Sequence, residues 1–185
     1  MQHAEQRLKQ HHSVIRAACA SDVPDITAIY HDAIVNTAAT FACRPRTSQE
    51  MSEWYSAHHD RHPVYVLMIG QHVAGWGSLS SWSLREGYRD TVEISVYLAP
   101  FARGFGHGGR MFDHLIEAAR RLDHHCVICC HTVGNYSMET ITASRGFSKV
   151  GVFEEIAFKF NQRHSLALWQ LLLHPRDASL LQEDI

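Results

Sequence analysis

The sequence has no excess of positive charge, no long hydrophobic run and no paired set of cysteines, and each absence removes a class of function. Lysine and arginine number 17 against 19 aspartates and glutamates, a net charge of −2 with an isoelectric point near 6.7. No dense basic face is available, which excludes nucleic acid as a partner. The longest apolar run, Val64 to Ile69, falls far short of the roughly 20 residues that a bilayer-crossing helix needs, so no membrane partner is expected. The first dozen residues are polar and His-rich, without the apolar core of a secretory signal. Five cysteines, an odd number, fit reduced thiols and a cytoplasmic location rather than a disulfide framework.

What is present is ordinary in bulk. A chain of 185 residues, 45% hydrophobic and 19% charged, can bury one core. Residues 13–174 are expected to form one domain, with residues 1–12 and 175–185 as loosely attached tails. No repeat or long linker interrupts the pattern. The tract from His124 to His131 contains Cys126-x-x-Cys129 and invites a zinc reading. It reads instead as a buried strand, whose alternation would turn those two thiols to opposite faces. No metal is therefore expected.

The elements follow one another plainly. Val14 to Ala18 reads as a strand, and Ser21 or Asp22 caps a helix carrying Val23, Ile26, Tyr30 and Ala33 on one face. Thr47-Ser48-Gln49-Glu50 has the form of a capping box and opens a second helix to about His59. Val64 to Ile69 and Val73 to Trp82 flank a turn at Gly70-Gln71, and Asp90 to Leu98 is the fourth strand. A helix with Met111, Leu115, Ala118, Ala119 and Leu122 on one face comes next, then a strand from Cys126 to Thr132. Ser137 to Arg145 is a short helix stopped by Gly146. Lys149 to Ala157 and Ser165 to Leu173 form a terminal hairpin. The order β-α-α-β-β-β-α-β-α-β-β is that of an α/β fold built on a mixed sheet.

One turn carries more chemistry than the rest. The fourth strand ends at Pro100, four glycines follow (Gly104, Gly106, Gly108 and Gly109), and a helix begins at once. Glycines allow close backbone approach to a ligand. The helix behind them aims N–H groups and its positive dipole end at the turn, which makes a phosphate or pyrophosphate cradle. No lysine stands in the turn, which excludes a P-loop, and the spacing Gly104-Phe105-Gly106-His107-Gly108 misses the dinucleotide fingerprint.

Arg103-x-x-Gly106-x-Gly108, with the preceding strand and Pro100, resembles the acetyl-CoA signature of the GNAT superfamily of N-acetyltransferases. His107 departs from the aliphatic residue usual there. The element order from about Val14 to Leu173 is similar to the GNAT fold throughout. The resemblance implies acetyl-CoA as cosubstrate, bound along Ser95, Val96, Tyr97 and Leu98, by the turn residues Arg103, Gly104, Phe105, Gly106, His107, Gly108 and Gly109, and by Asn135.

Further segments resemble the phosphinothricin acetyltransferase branch, which acetylates the α-amino group of small amino-acid-like compounds. They are Asn36 to Phe41, Pro45 and Thr47, Arg85-Glu86-Gly87-Tyr88-Arg89, Thr91-Val92-Glu93, then Lys159, His164 and Trp169-Gln170. By alignment with that branch Glu93 removes the amine proton. A carboxylate in a partly dry cleft has its pKa raised toward the working range. Thr142 stands where a Tyr or His often protonates the departing thiolate. Either Tyr136 serves as the acid, or the thiolate leaves with water as its proton source, which a thiol pKa near 8.5 makes feasible. Arg85, Tyr88 and Arg89 are candidates to grip a substrate anion, and Phe41 and His164 are further substrate-binding candidates that the resemblance implies.

The expected partner is thus a small-molecule amine such as phosphinothricin or methionine sulfone or sulfoximine. A protein N-terminal or lysine acetyltransferase is the alternative, as is an acyl-CoA-binding module without turnover. Trp54, Tyr55 and Trp82, together with the resemblance, point to a homodimer.

Overall fold

The computed structural model describes residues 13–173; the expected tails, residues 1–12 and 175–185, and the last residue of the expected domain, 174, lie outside the described residues. Seven strands form one sheet in the order β1-β2-β3-β4-β5-β7-β6. They are β1 Ser13–Ala17, β2 Val64–Ile69, β3 His72–Ser81, β4 Thr91–Leu98, β5 Cys126–Thr132, β6 Ser148–Lys159 and β7 Gln162–Leu172. Four helices complete the fold: α1 Val23–Asn36, α2 Ser48–Ser56, α3 His107–Arg121 and α4 Tyr136–Ser144. Every ladder is antiparallel except β4 with β5. This is the mixed α/β architecture the sequence order implies.

Strand alternation sorts side chains onto two faces. On one, Met111, Phe112 and Leu115 of α3 pack with Leu67, Leu79, Val92, Ile94 and Val127, and α4 adds Met138 and Ile141. On the other, Val23, Ile26 and Ile29 of α1 and Met51 of α2 pack with Val64, Val66, Trp76 and Tyr97. Cys129 joins the first core, whereas Cys126 takes a hydrogen bond from Gln170. Gly77 lets α3 sit close to the sheet: a Cβ there would stand 2.7 Å from Leu115 Cδ1 and 2.9 Å from Met111 Cγ.

Local signals behave as their chemistry requires, with two exceptions. The Thr47 hydroxyl accepts from Glu50 N while the Glu50 carboxylate accepts from Thr47 N, a complete capping box. Asp22 does not cap α1 with its side chain. Its carboxylate takes both guanidinium ends of Arg16, at 2.7 and 2.8 Å, and the N–H of Cys19 at 2.8 Å. It thereby locks β1 to the start of α1. The last hairpin runs longer than the pattern suggests, turning tightly at Phe160 (φ 51°) and Asn161 (φ 60°). Among the described residues no helix is long and apolar enough to cross a membrane.

The Arg16 pairing holds the Asp22 carboxyl down at about 2. A depressed carboxylate stabilises the fold above its unfolded pKa and loses that contribution as pH falls through the folded value. Between about pH 4 and pH 2 the parent should therefore lose roughly 1–2 kcal/mol that Asp22→Asn never had, a figure reduced because Arg16 is partly in water. Denaturant unfolding across that range checks it, and parallel curves for parent and variant would refute it.

Candidate active site

Strands β4 and β5 pair for only three residues, Thr91 with Cys126, Val92 with Val127 and Glu93 with Ile128. Beyond that point β4 stays on β3 as far as Leu98, and β5 stays on β7 as far as Thr132. The sheet therefore opens between them. The β4 edge from Ile94 to Leu98 presents backbone polar groups to the gap that no β5 ladder takes, and such groups seek a ligand or water.

The glycine turn stands at the end of that edge. Gly104 (φ +84°) and Gly106 (φ +79°) are in the left-handed region, and nothing lies within 4 Å of where their Cβ atoms would be. Gly106 is the N-cap of α3. The first turn of a helix leaves N–H groups without carbonyls one turn back, here those of Gly108 and Gly109, and it carries the positive dipole end. Backbone amides, helix dipole and open space together suit a pyrophosphate.

His107 is buried, its Nδ1 3.2 Å from the Ser13 hydroxyl of β1. A polar partner replaces aliphatic packing beneath the turn. Arg103 donates to Asp32 of α1 and, at 3.1 Å, to the Leu98 carbonyl, so its guanidinium also ties the turn to the neighbouring helix. Phe105 is part-exposed above the turn. Asn135 caps α4, its side chain accepting from Met138 N at 3.3 Å.

On the α1 and α2 face lies a cavity of about 350 Å³. Its floor is strand: Trp76, Ser78 and Ser80 of β3 beside Ser95 and Tyr97 of β4. Its walls come from Tyr30, Arg46, Glu50, Met51 and Trp54. Glu93 pairs in register with Ser80 and shares its face with Ser95, two residues along. Glu93 itself is outside the cavity lining, but its ladder partner Ser80 and its same-face neighbour Ser95 are both in it, at the point where the sheet opens. Burial pushes the Glu93 carboxyl up, and the Cys130 thiol, which faces it from β5, pulls it partly back. Cys130 itself is driven up to about 12 by burial and by the Glu93 charge, so it stays protonated.

Several expected residues lie elsewhere. Arg85, Tyr88 and Arg89 sit on and beside an exposed 3-10 turn, Glu86–Tyr88, outside the cavity lining, and Arg89 meets Asp90 at 3.3 Å. Tyr136, at the start of α4, is 78% exposed. Thr142 is fully buried, and its hydroxyl donates to the Met138 carbonyl at 2.8 Å. Phe41 and His164 do meet, ring centroids 5.8 Å apart, where the α1–α2 loop touches the last hairpin. Lys159 fastens that junction by donating to the Thr37 and Thr40 carbonyls at 2.8 and 2.7 Å.

The cation that sequence reasoning missed is Arg46. Glu50 gives its oxygens to Arg44, at 2.6 and 3.0 Å, and to Thr47 N, while Arg46 approaches no nearer than 3.7 Å. Arg46 is thus the loosely held guanidinium of the cavity wall. The signal available for this site was the pair Ser78 and Ser80, alternate hydroxyls on a buried strand that otherwise has small or apolar side chains.

Comparison with known proteins fits this geometry. Residues 23–147 match the acetyltransferase (GNAT) family. The L-methionine sulfoximine/L-methionine sulfone acetyltransferase of Pseudomonas paraeruginosa is 33% identical over 163 residues, covering 87% of this chain and 95% of its own. Phosphinothricin N-acetyltransferase of Streptomyces coelicolor is 27% identical over 161 residues, covering 84% and 94%. The crystal structure of a phosphinothricin acetyltransferase from Sinorhizobium meliloti in complex with acetyl-CoA superposes with a TM-score of 0.85 at 27% identity, over 90% of this chain and 94% of that one.

Gly106 and Gly108 should separate when each is changed to alanine. The left-handed φ of Gly106 costs an L-residue roughly 1–2 kcal/mol, whereas Gly108 lies in ordinary helical space and gains up to about 1 kcal/mol from alanine. Gly106→Ala should therefore lower folding stability and Gly108→Ala should not. Gly106→Val should also weaken acetyl-CoA at least tenfold by calorimetry, and unchanged affinity would remove the turn from the cosubstrate site.

Proposed function

The chain belongs to the acetyltransferase (GNAT) family, and from that premise we propose that it moves an acetyl group from acetyl-CoA to the primary amine of a small amino-acid-like molecule. Methionine sulfone, methionine sulfoximine and phosphinothricin are the first candidates, since proteins named for those substrates are its relatives. The observation that carries the reading is the position of Glu93: half-buried, raised in pKa, and set between a small cavity and the opening of the sheet.

Bound acetyl-CoA supplies an activated thioester. The β4 edge and the α3 turn hold its pantetheine arm and pyrophosphate. The amine lies over Ser80 and Ser95, and Glu93 takes a proton from it through water as the new bond to carbon forms. A cavity of this size is at the small end of ligand sites, which favours a free amino acid over a protein segment. It also makes a module without turnover unnecessary, because a poised base has no use in one. Arg46 pairs with the substrate carboxylate or phosphinate. All five cysteines are free thiols, which suits a reducing cytoplasm.

We also place two copies of the chain together. Trp54 and Tyr55 do not argue for this, since both pack into the α1–α2 side of the core. The edge strand β6 does: Val150, Phe153, Ile156 and Phe158 are each more than half exposed. An uncovered apolar edge strand of that length is a pairing surface. Sedimentation at micromolar concentration should give twice the 21.0 kDa chain mass, and a monomer would refute the assembly.

Release of CoA thiol with a panel of amino acids tests the activity. Glu93→Gln should lower kcat by about 10²–10⁴-fold with acetyl-CoA binding intact. Because the Glu93 pKa is raised, the parent rate should climb with pH as that group loses its proton, and the variant should lack this limb. The free acid should outpace its methyl ester, and Arg46→Ala should erase the preference while Arg85→Ala leaves it. A loss below about threefold in Glu93→Gln would place the base elsewhere. Equal kcat/KM for acid and ester would remove the anion contact.

A further inference from the structure

Ser80 is the cavity-floor hydroxyl that has a histidine behind it. His58 follows the last turn of α2, half-buried, with Nδ1 2.8 Å from the Trp54 carbonyl and Nε2 3.2 Å from Ser80 Oγ. A carbonyl can only accept, so Nδ1 carries a proton. In the neutral ring Nε2 then has a lone pair, and the Ser80 hydroxyl donates to it. The Trp54 ring, 4.5 Å away, packs against the imidazole and holds its plane. Ser80, His58 and the Trp54 carbonyl thus form a directed chain that starts in the cavity and ends on the backbone of α2.

The reaction needs such a chain. An amino acid arrives as an ammonium with three N–H bonds, and the amide product keeps one. Two protons must leave: one ends on the CoA sulfur, the other in solvent. Glu93 is one acceptor. We infer that Ser80 and His58 are the second, a relay that turns the bound ammonium into the amine able to attack. As the substrate N–H bond breaks, its proton bonds to Ser80 Oγ, the hydroxyl's own proton bonds to His58 Nε2, and the ring becomes a cation. The half-exposed imidazolium then loses that Nε2 proton to water, which returns the ring to its starting Nδ1–H state.

The surroundings keep the ring ready. Burial and the neighbouring His59 lower the proton affinity of His58, so it is neutral at pH 7 and sheds a proton readily. His62 lies on the same side, backed by Arg61 and His124, and feels His58 in turn. Across Ser80 stands its ladder partner Glu93, the nearby carboxylate on β4. A merely structural histidine at a helix end needs only its Nδ1 contact with the carbonyl; the second nitrogen aimed at a cavity hydroxyl is surplus to that role. His58 acts through Ser80 and is a positioning and relay group.

The inference rests on the acetyltransferase reading, and its tests are arranged to fail separately. In ligand-free protein, the nitrogen shifts of His58 at pH 7 should show the neutral ring protonated at Nδ1; an Nε2–H tautomer or an imidazolium would overturn the relay without any assay. In turnover, His58→Ala should lose roughly tenfold or more at pH 7, recover toward pH 9 as more substrate is already neutral, and respond to added imidazole. Ser80→Ala should show the same pH shift without imidazole rescue, and His58→Gln should bind acetyl-CoA normally yet behave like the alanine variant. A loss by the same factor at every pH, with no rescue, would make His58 structural and overturn the relay alone. A parent protein that releases no CoA with any amine refutes the acetyltransferase reading, and the relay falls with it.

Discussion

The opening of the β4–β5 ladder after Glu93 is the constraint on which the rest depends. It arises because each strand is claimed by an antiparallel neighbour: β4 keeps seven register pairs with β3, and β5 keeps seven with β7. The parallel contact between them keeps three. Antiparallel pairing is somewhat the more stable per residue, so where sheet twist sets the strands in competition, the parallel seam gives way. The result is an edge of backbone donors and acceptors inside the fold, which is costly when dry and favourable when an amide-bearing ligand pairs with it. The same divergence brings the glycine turn and the amino end of α3 to the end of that edge. Position, hydrogen bonding and dipole thus follow from one competition between ladders.

Two glutamates show how surroundings divide roles between identical side chains. Glu50 is part-exposed, takes both guanidinium ends of Arg44 and the N–H of Thr47, and is held down at about 2. It is a permanent anion that fixes the loop before α2. Glu93 has no such arginine, is half-buried, and is pushed up by that burial, with a thiol as its hydrogen-bonding neighbour. Of the two, only the second is moved toward neutral pH, the direction the proposed base role needs. Lys159 completes the contrast on the positive side. Its ammonium is spent on the Thr37 and Thr40 carbonyls, so it shapes the loop near the cavity without offering charge to a ligand.

Most of the fold was legible because the signals were local. The capping box at Thr47, the Gly70 turn, the apolar stripe of α3 and the glycine turn each act within a few residues, and the strands β2 and β5 match their expected limits. The last hairpin was underestimated because β6 is exposed along nearly its whole length, so burial imposes no alternation on it. Its turn uses Phe160 and Asn161 at positive φ without a glycine to announce it. The cavity was the least legible part. Arg46, Ser80 and Tyr30 come from three elements far apart in sequence, and only packing assembles them. Arg85, Tyr88 and Arg89, singled out for the anion-gripping fork of arginine, sit on and beside an exposed turn outside the cavity lining.

The departing sulfur is the last step the structure constrains. Thr142 has no proton to spare for it, since its hydroxyl is committed to the Met138 carbonyl within α4. Tyr97, on the cavity floor, has its phenol pushed well above the ordinary range by burial, and Cys130 is raised likewise. Neither gives up a proton easily. A thiolate is a stable leaving group near neutral pH, because its conjugate acid has a pKa of about 8.5 in water. In the proposed reaction the difficult proton is therefore the one on the incoming ammonium, whose pKa lies above neutral. The acceptors proposed for it lie together: a raised carboxylate on β4, and on the neighbouring β3 a serine backed by the histidine that follows α2.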